Sequence, residues 1–453
     1  MSRDDRSFVP NRDRAGRQVE AADSESLLTG PAPPTFLEGK TAVALSCRRQ
    51  EKHFELDSVI TVSGARFSMP TFNNRALLLV AGALFATSAC GGSPTVPAGL
   101  ASQVSAPGAS SFTPSDTTSI LKKLTKDVEI GSTVDRKNGD MGPRAISLVR
   151  STFGLKKGQL IVCNFDDAAG TAGKGTTIEV LDPNPHSKPA TFTQSTKLAG
   201  CDGDAITATN EVYGAGLLSG HVPQFTPAGE LNQSYGSPIQ APFADADAFC
   251  GLAYAPEDIY VSDSKTGSII KLAFLPVSGG KAKMTEVITG FGVNKGSGWS
   301  VLGPSGVQYN NTRTGALCND TLYIVDGVDN TVVAVSTASN LLKKDEIVVQ
   351  PGGKKFKCAE PKATCATLIY SGSPLNAPVA SALLPNGNLI VANTKGGNKL
   401  VELTPTGKVL ATKTIDKSKT AHVFGLLATG TSDSDTVLFY TDTKTNTLQE
   451  LEQ

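Results

Sequence analysis

The sequence has no net charge to offer a partner: 42 Lys and Arg balance 42 Asp and Glu. The part that reads as folded also lacks an arginine cluster, so the electrostatic footprint of a nucleic-acid-binding domain is missing. Aromatics are scarce, with a single Trp, against 45 Gly and 26 Pro. That ratio favours many turns and short strands over helices. There is no CxxC pair, which removes the usual cysteine spacing of a zinc site. There is no Gly-x-Ser-x-Gly nucleophile elbow, and no pair of carboxylates stands in a glycosidase-like context. The longest apolar run, Ala76 to Ala86, is too short for a bilayer, which needs about 20 residues.

Charge of one kind is also unevenly placed. Residues 1 to 68 carry eight Arg and two Lys, whereas residues 90 to 453 carry four Arg and 27 Lys. The first segment has no sustained period of 2 or 3.6, and stretches such as Arg12 to Arg17 and Gly30 to Pro34 read as disordered. Residues 69 to 89 then follow a different plan, with a positive start at Arg75, the apolar core, and the small residues Thr87-Ser88-Ala89 before Cys90. This run resembles a bacterial lipoprotein signal, which implies that Cys90 becomes the first mature residue and carries lipid such as palmitate. Met69 is then the expected start, with 1–68 an over-long gene model. Residues 90–126, rich in Gly, Ser, Pro, Thr and Ala, read as a flexible tether ending in a short helical turn. Gly91 after the Cys, in place of the Asp typical of inner-membrane retention, favours the outer membrane by the same resemblance.

The remaining chain repeats itself. LYIVDGVDNTVVAV (322–335) is an apolar run, a polar corner and a second apolar run. The pattern recurs at 259–272, 389–403 and 438–451, and more loosely at 160–180 and 212–225. Six copies across 127–453 give about 54 residues each, the length of a four-stranded propeller blade. The runs are apolar at successive positions, as in Leu322, Tyr323, Ile324 and Val325, so both faces are covered. A short polar residue or Gly closes each corner: Asn164, Gly216, Asp263, Asp326, Asn393 and Asp442. Before each hairpin lies a stretch of small residues suited to an inner strand near a crowded axis. The last hairpin lacks an outer strand, and KDVEIGSTV (126–134) can supply it and close the ring.

An inner small-residue strand, then a hydrophobic run ending in Asp, a short turn and a Thr/Ser-led strand, resembles NHL-type β-propellers. The implied fold is all-β, a six-bladed propeller over 127–453. That scaffold serves binding proteins, lactonases, lyases and dehydrogenases, so it leaves the function open. The Glu-Gly-Pro-like start of the first inner strand in gluconolactonase-type enzymes is absent; here that strand begins Met141-Gly142-Pro143-Arg144.

Six cysteines remain once Cys47 and Cys90 are set aside, an even number that suits an exported, disulfide-bonded domain. Cys358 and Cys365 are close enough to join across a hairpin loop. Cys163 pairs with Cys201, or Cys201 with Cys250. Candidate ligand contacts at the channel mouth are Arg144, Asp202, Asp204, Asp247, Ser305, Asn376 and His422. Asp202, Asp204, Asp245 and Asp247 either gather a Ca²⁺ ion or satisfy their own backbone corners. His422 is either a general base or a packing residue. Two functions follow: a lipid-anchored binding or scaffold module for a protein or small ligand, acting as a monomer, or a metal-assisted hydrolase or lyase working in the central channel.

Overall fold

The structure is a computed structural model that describes residues 118–248, 258–274, 281–296, 301–314, 317–359 and 364–453. Cys90 and Cys250 lie outside the described residues, as do the side chains of 244–248 and 311–319. Six sheets, antiparallel except where Lys283–Thr289 pairs in parallel with Ile347–Val349, form the blades of a β-propeller. Their inner strands are Met141–Leu148, Cys201–Ile206, Pro242–Ala248, Pro304–Thr314, Pro378–Leu383 and Val423–Thr429, in blades one to six. The ring closes as the repeat pattern requires. Lys126–Ser132 pairs antiparallel with the final strand Thr447–Glu452 and becomes the outer strand of blade six.

The unbroken apolar runs follow from the two-residue period of a strand placed between two neighbours. In the second strand of blade one, Leu160–Asp166, Ile161 and Cys163 pack toward blade two with Ile178, Leu198 and Val212. Leu160 and Val162 pack toward blade six with Phe439 and Leu448. Blade four repeats the scheme: Leu322 and Ile324 join the cluster shared with blade three, and Tyr323 and Val325 the one shared with blade five. Every such side chain is at most 5% exposed. Each fully buried aliphatic of this kind stabilises by about 1.5–3 kcal/mol, so the alternation holds adjacent blades together along the whole ring.

The corner residues act through their side chains. Asp263 Oδ1 accepts the backbone N–H groups of Lys265 and Thr266, both at 3.0 Å, and its Oδ2 accepts those of Gln240 at 2.6 Å and Ala241 at 3.1 Å. Asp326 Oδ1 accepts from Val328 at 2.8 Å, and Asp442 Oδ1 from Lys444 at 2.8 Å. Asn393 Oδ1 accepts from the Asn376 N–H at 2.9 Å, and its amide donates to Pro374 O. At the axis, a Cβ on Gly425 would lie 2.5 Å from the Arg144 carbonyl oxygen, and one on Gly306 3.0 Å from the Ala380 Cα. Only glycine lets the inner strands approach this closely there.

Two features go beyond four strands per blade. Residues 337–365, inserted between the third and fourth strands of blade four, carry Ile347–Val349 and Phe356–Cys358, which extend the outer edge of blade three to a six-stranded sheet. Strands of three residues are too short to show a period, so the sequence gives no sign of them. The turn at 119–124 is also more than a tether's end. Ile120, Leu121 and Leu124 are buried among blade-five and blade-six residues. Glu402 accepts from the Ser119 hydroxyl at 2.5 Å, Ile120 N at 3.2 Å, Leu121 N at 3.0 Å and Asn388 Nδ2 at 3.0 Å.

Two disulfides form: Cys358–Cys365, expected from its spacing, and Cys163–Cys201, one of the two pairings left open for Cys201. Cys163–Cys201 ties the second strand of blade one to the inner strand of blade two, with Cα atoms 5.4 Å apart. Cys358–Cys365, with Cα atoms 5.5 Å apart, ties the extension of blade three to the start of blade four's outer strand.

Candidate functional site

All six blades contribute to a small cavity on the propeller axis, of about 60 Å³, with Arg144, Asp202, Asp204, Phe243, Ser381 and Phe424 among its lining. At one end Arg144 is held on three sides. Its Nη1 lies 3.1 Å from Asp202 Oδ1, and the side chains of the pair are 11% and 1% exposed. Its guanidinium lies 3.5 Å from the Phe165 ring centre and 4.0 Å from that of Phe424, a sandwich of two rings on one cation. Phe165 comes from the second strand of blade one and Phe424 from the inner strand of blade six. The cluster around Arg144 thus draws on blades one, two and six.

Deeper along the axis, Asp204 Oδ1 accepts from the Ser147 hydroxyl at 2.5 Å. Burial pushes the Asp202 carboxyl up to about 6, against the pull of Arg144. Burial pushes Asp204 up to about 7, with the Ser147 hydrogen bond opposing. The second oxygen of each, Asp202 Oδ2 and Asp204 Oδ2, and the hydroxyl of Ser381 have no protein hydrogen-bond partner among the described residues, and all three residues border the cavity. Such orphaned acceptors call for a proton, water or a cation.

The residues nominated from sequence separate into groups. Arg144, Asp202 and Asp204 meet at the axis. The two aspartates stand on the inner strand itself, not at a corner before it. On the inner strand of blade three, Asp245, opposite Val261, takes the place that Asp204 has in blade two, Asp247, opposite Ile259, stands two positions further on, and the side chains of both lie outside the described residues. Ser305 is buried and donates to Gly303 O at 3.0 Å. Asn376 is exposed at the rim of blade five. His422, half-buried, precedes the inner strand of blade six; its Nε2 lies 3.0 Å from Ser418 Oγ, and it does not line the axial cavity. Among the described residues, no three His, Cys, Asp or Glu side chains are grouped to hold a metal ion.

Nothing in the sequence singles out Phe165 or Phe424. Each sits in an apolar stretch where an aromatic reads as ordinary core, and only the ring geometry brings both onto one arginine.

No protein-family model matches the chain, and no curated protein matches its sequence. Solved structures align with it at low identity. A catalytically inactive virginiamycin B lyase from Staphylococcus aureus with quinupristin aligns over 72% of this chain and 99% of its own, at 13% identity and a TM-score of 0.38. A protein of unknown function from Bacteroides thetaiotaomicron aligns over 72% of this chain and 74% of its own, at 12% identity and a TM-score of 0.40. A chain of a nidogen/laminin complex aligns over 62% and 87%, at 15% identity and a TM-score of 0.40.

Proposed function

We propose that the chain is an exported, lipid-anchored binding or scaffold propeller of the bacterial envelope, which meets its ligand or protein partner with surface loops rather than in the central channel. One observation carries this reading. The axial cavity of about 60 Å³ holds about four waters, whereas organic ligands occupy sites of roughly 300–1,000 Å³. Arg144, which lines that cavity, is held by partners from three blades. The two disulfides are in keeping with an oxidising compartment. Lipidation of Cys90 is tested by fractionating cells that express the full chain. The protein is expected in the membrane fraction, and Cys90→Ser is expected to move it to the soluble fraction; an unchanged distribution refutes the anchor.

A second reading has its own support in the unpartnered oxygens of Asp202, Asp204 and Ser381 around the axis. These are oxygen donors of the kind Ca²⁺ takes, and the cavity has room for an ion with waters. An enzyme of the metal-assisted hydrolase or lyase type would need that ion. Elemental analysis of the purified domain separates the two readings: a stoichiometric metal favours the second. A melting midpoint unmoved by EDTA counts against a structural Ca²⁺.

A further inference from the structure

Two further cavities lie away from the axis, on the face that carries the hairpin corners, at blade five and the connections that flank it. One, of about 390 Å³, is lined by Lys395, Gly396, Gly397, Lys399, Lys417 and Lys419 together with Thr414 and Ser418. The other, of about 280 Å³, adjoins it and shares Lys395, Gly396 and Lys399. Four lysines and no carboxylate line the pair. None of these lysines is ion-paired among the described residues, whereas Lys126, Lys271, Lys344 and Lys444 are.

The cleft is built, not a loose cluster of surface charge. Behind the lining, Asn398 is nine-tenths or more buried, and its Nδ2 donates to Asp416 Oδ1 at 2.7 Å and Thr420 O at 3.0 Å. That bond fixes the corner 394–398 to the connection 414–420. Asp416, the nearest carboxylate, is already engaged: its Oδ1 also accepts from Ser418 N at 2.9 Å, and its Oδ2 faces Lys444 at 3.7 Å. At the rim, Gly396 and Gly397 have φ of 83° and 93°, and their N–H groups make no hydrogen bond among the described residues. Free backbone donors beside lysines are what an anion needs.

We infer that this cleft at the corner of blade five binds a small ligand carrying two or more phosphate groups. The inference rests on the surface-binding reading above but not on the lipid anchor. The size of the two cavities suits a ligand of more than one charged group, with Lys395 and Lys399 shared between the halves. Lysines contribute as point charges rather than forks, so affinity follows charge density. The two linings contain no aromatic ring, so there is nothing on which a base or sugar could stack.

Calorimetric titration of the full chain with tripolyphosphate at about 20 mM salt tests this. Binding is expected, weakened about tenfold by Lys395→Glu with Lys417→Glu. The same reversal at Lys156 and Lys157, exposed on the opposite face, is expected to leave it unchanged. All four side chains are exposed, so thermal melts should stay unaltered. Absence of binding, or equal weakening by the two double variants, overturns the proposal. Sedimentation with phosphatidylglycerol vesicles identifies the source: capture lost in K395E/K417E assigns the phosphates to lipid headgroups, and tripolyphosphate binding without capture assigns them to a soluble ligand. Failure here leaves the Cys90 fractionation result untouched, so the two readings fall separately.

Discussion

Arg144 illustrates how one side chain serves a whole ring. Replacing it with Ala leaves Asp202 buried without its countercharge, a loss of about 3–5 kcal/mol for a broken buried pair. Asp202 escapes part of that penalty by taking a proton, which its environment already favours. Denaturation of Arg144→Ala should therefore show a large loss at pH 8 and a smaller one at pH 5. Equal losses at both values would mean that packing against Phe165 and Phe424, not charge, dominates. The sequence exposed the two ends of this ion pair as separate candidates and could not join them. They are 58 positions apart, and only the packing of blade two on blade one sets them side by side at that depth.

At the scale of elements, the six hairpins and their corners were legible because they are local: a period of 2, a short Asx residue, a turn. The 337–365 insertion was not, since its strands exist only by docking on blade three. Tyr260 Oη donates to Ala338 O at 2.5 Å and Lys271 Nζ to Ser339 O at 2.8 Å, bonds that no local pattern announces. The disulfides test how much each junction depends on covalent closure. The Cys163–Cys201 loop spans 38 positions and the Cys358–Cys365 loop 7. Chain entropy then gives about 4 and about 2 kcal/mol for removal of each pair. Double Ser variants should rank in that order by urea midpoint; the reverse order would assign the 358–365 bond a role in docking the insertion.

For the molecule as a whole, buried carboxyls set the pH response. Burial, reinforced by neighbouring Asp135, pushes Glu179 up to about 9, and Asp204 reaches about 7. A carboxyl whose folded pKa lies above its unfolded value of about 4 binds its proton more tightly when folded. Its contribution is complete below the unfolded value and disappears as pH rises through the folded one. Stability should therefore decline from pH 5 toward pH 9, with Asp204 acting over the lower part of that window and Glu179 over all of it. Glu179→Gln should flatten the upper part and raise the melting midpoint at pH 8.5 by about 2–4 °C. A variant profile parallel to that of the parent chain would exclude Glu179 as the cause. None of this was visible in the sequence, where Glu179 is one polar residue in an apolar strand and Asp135 lies in a loop far from it along the chain.

The docked turn at 119–124 bears on mechanics. Any pull transmitted along the chain from before residue 118 reaches the propeller first through Glu402 and the buried Ile120, Leu121 and Leu124, and only afterwards through the strand that closes the ring. Blade five thus acts as the anchor point, and the closing strand is shielded from direct load. Glu402→Ala should lower the force at which the first unfolding event occurs in single-molecule stretching from the N-terminal side. It should leave the force measured across blades one to four unchanged.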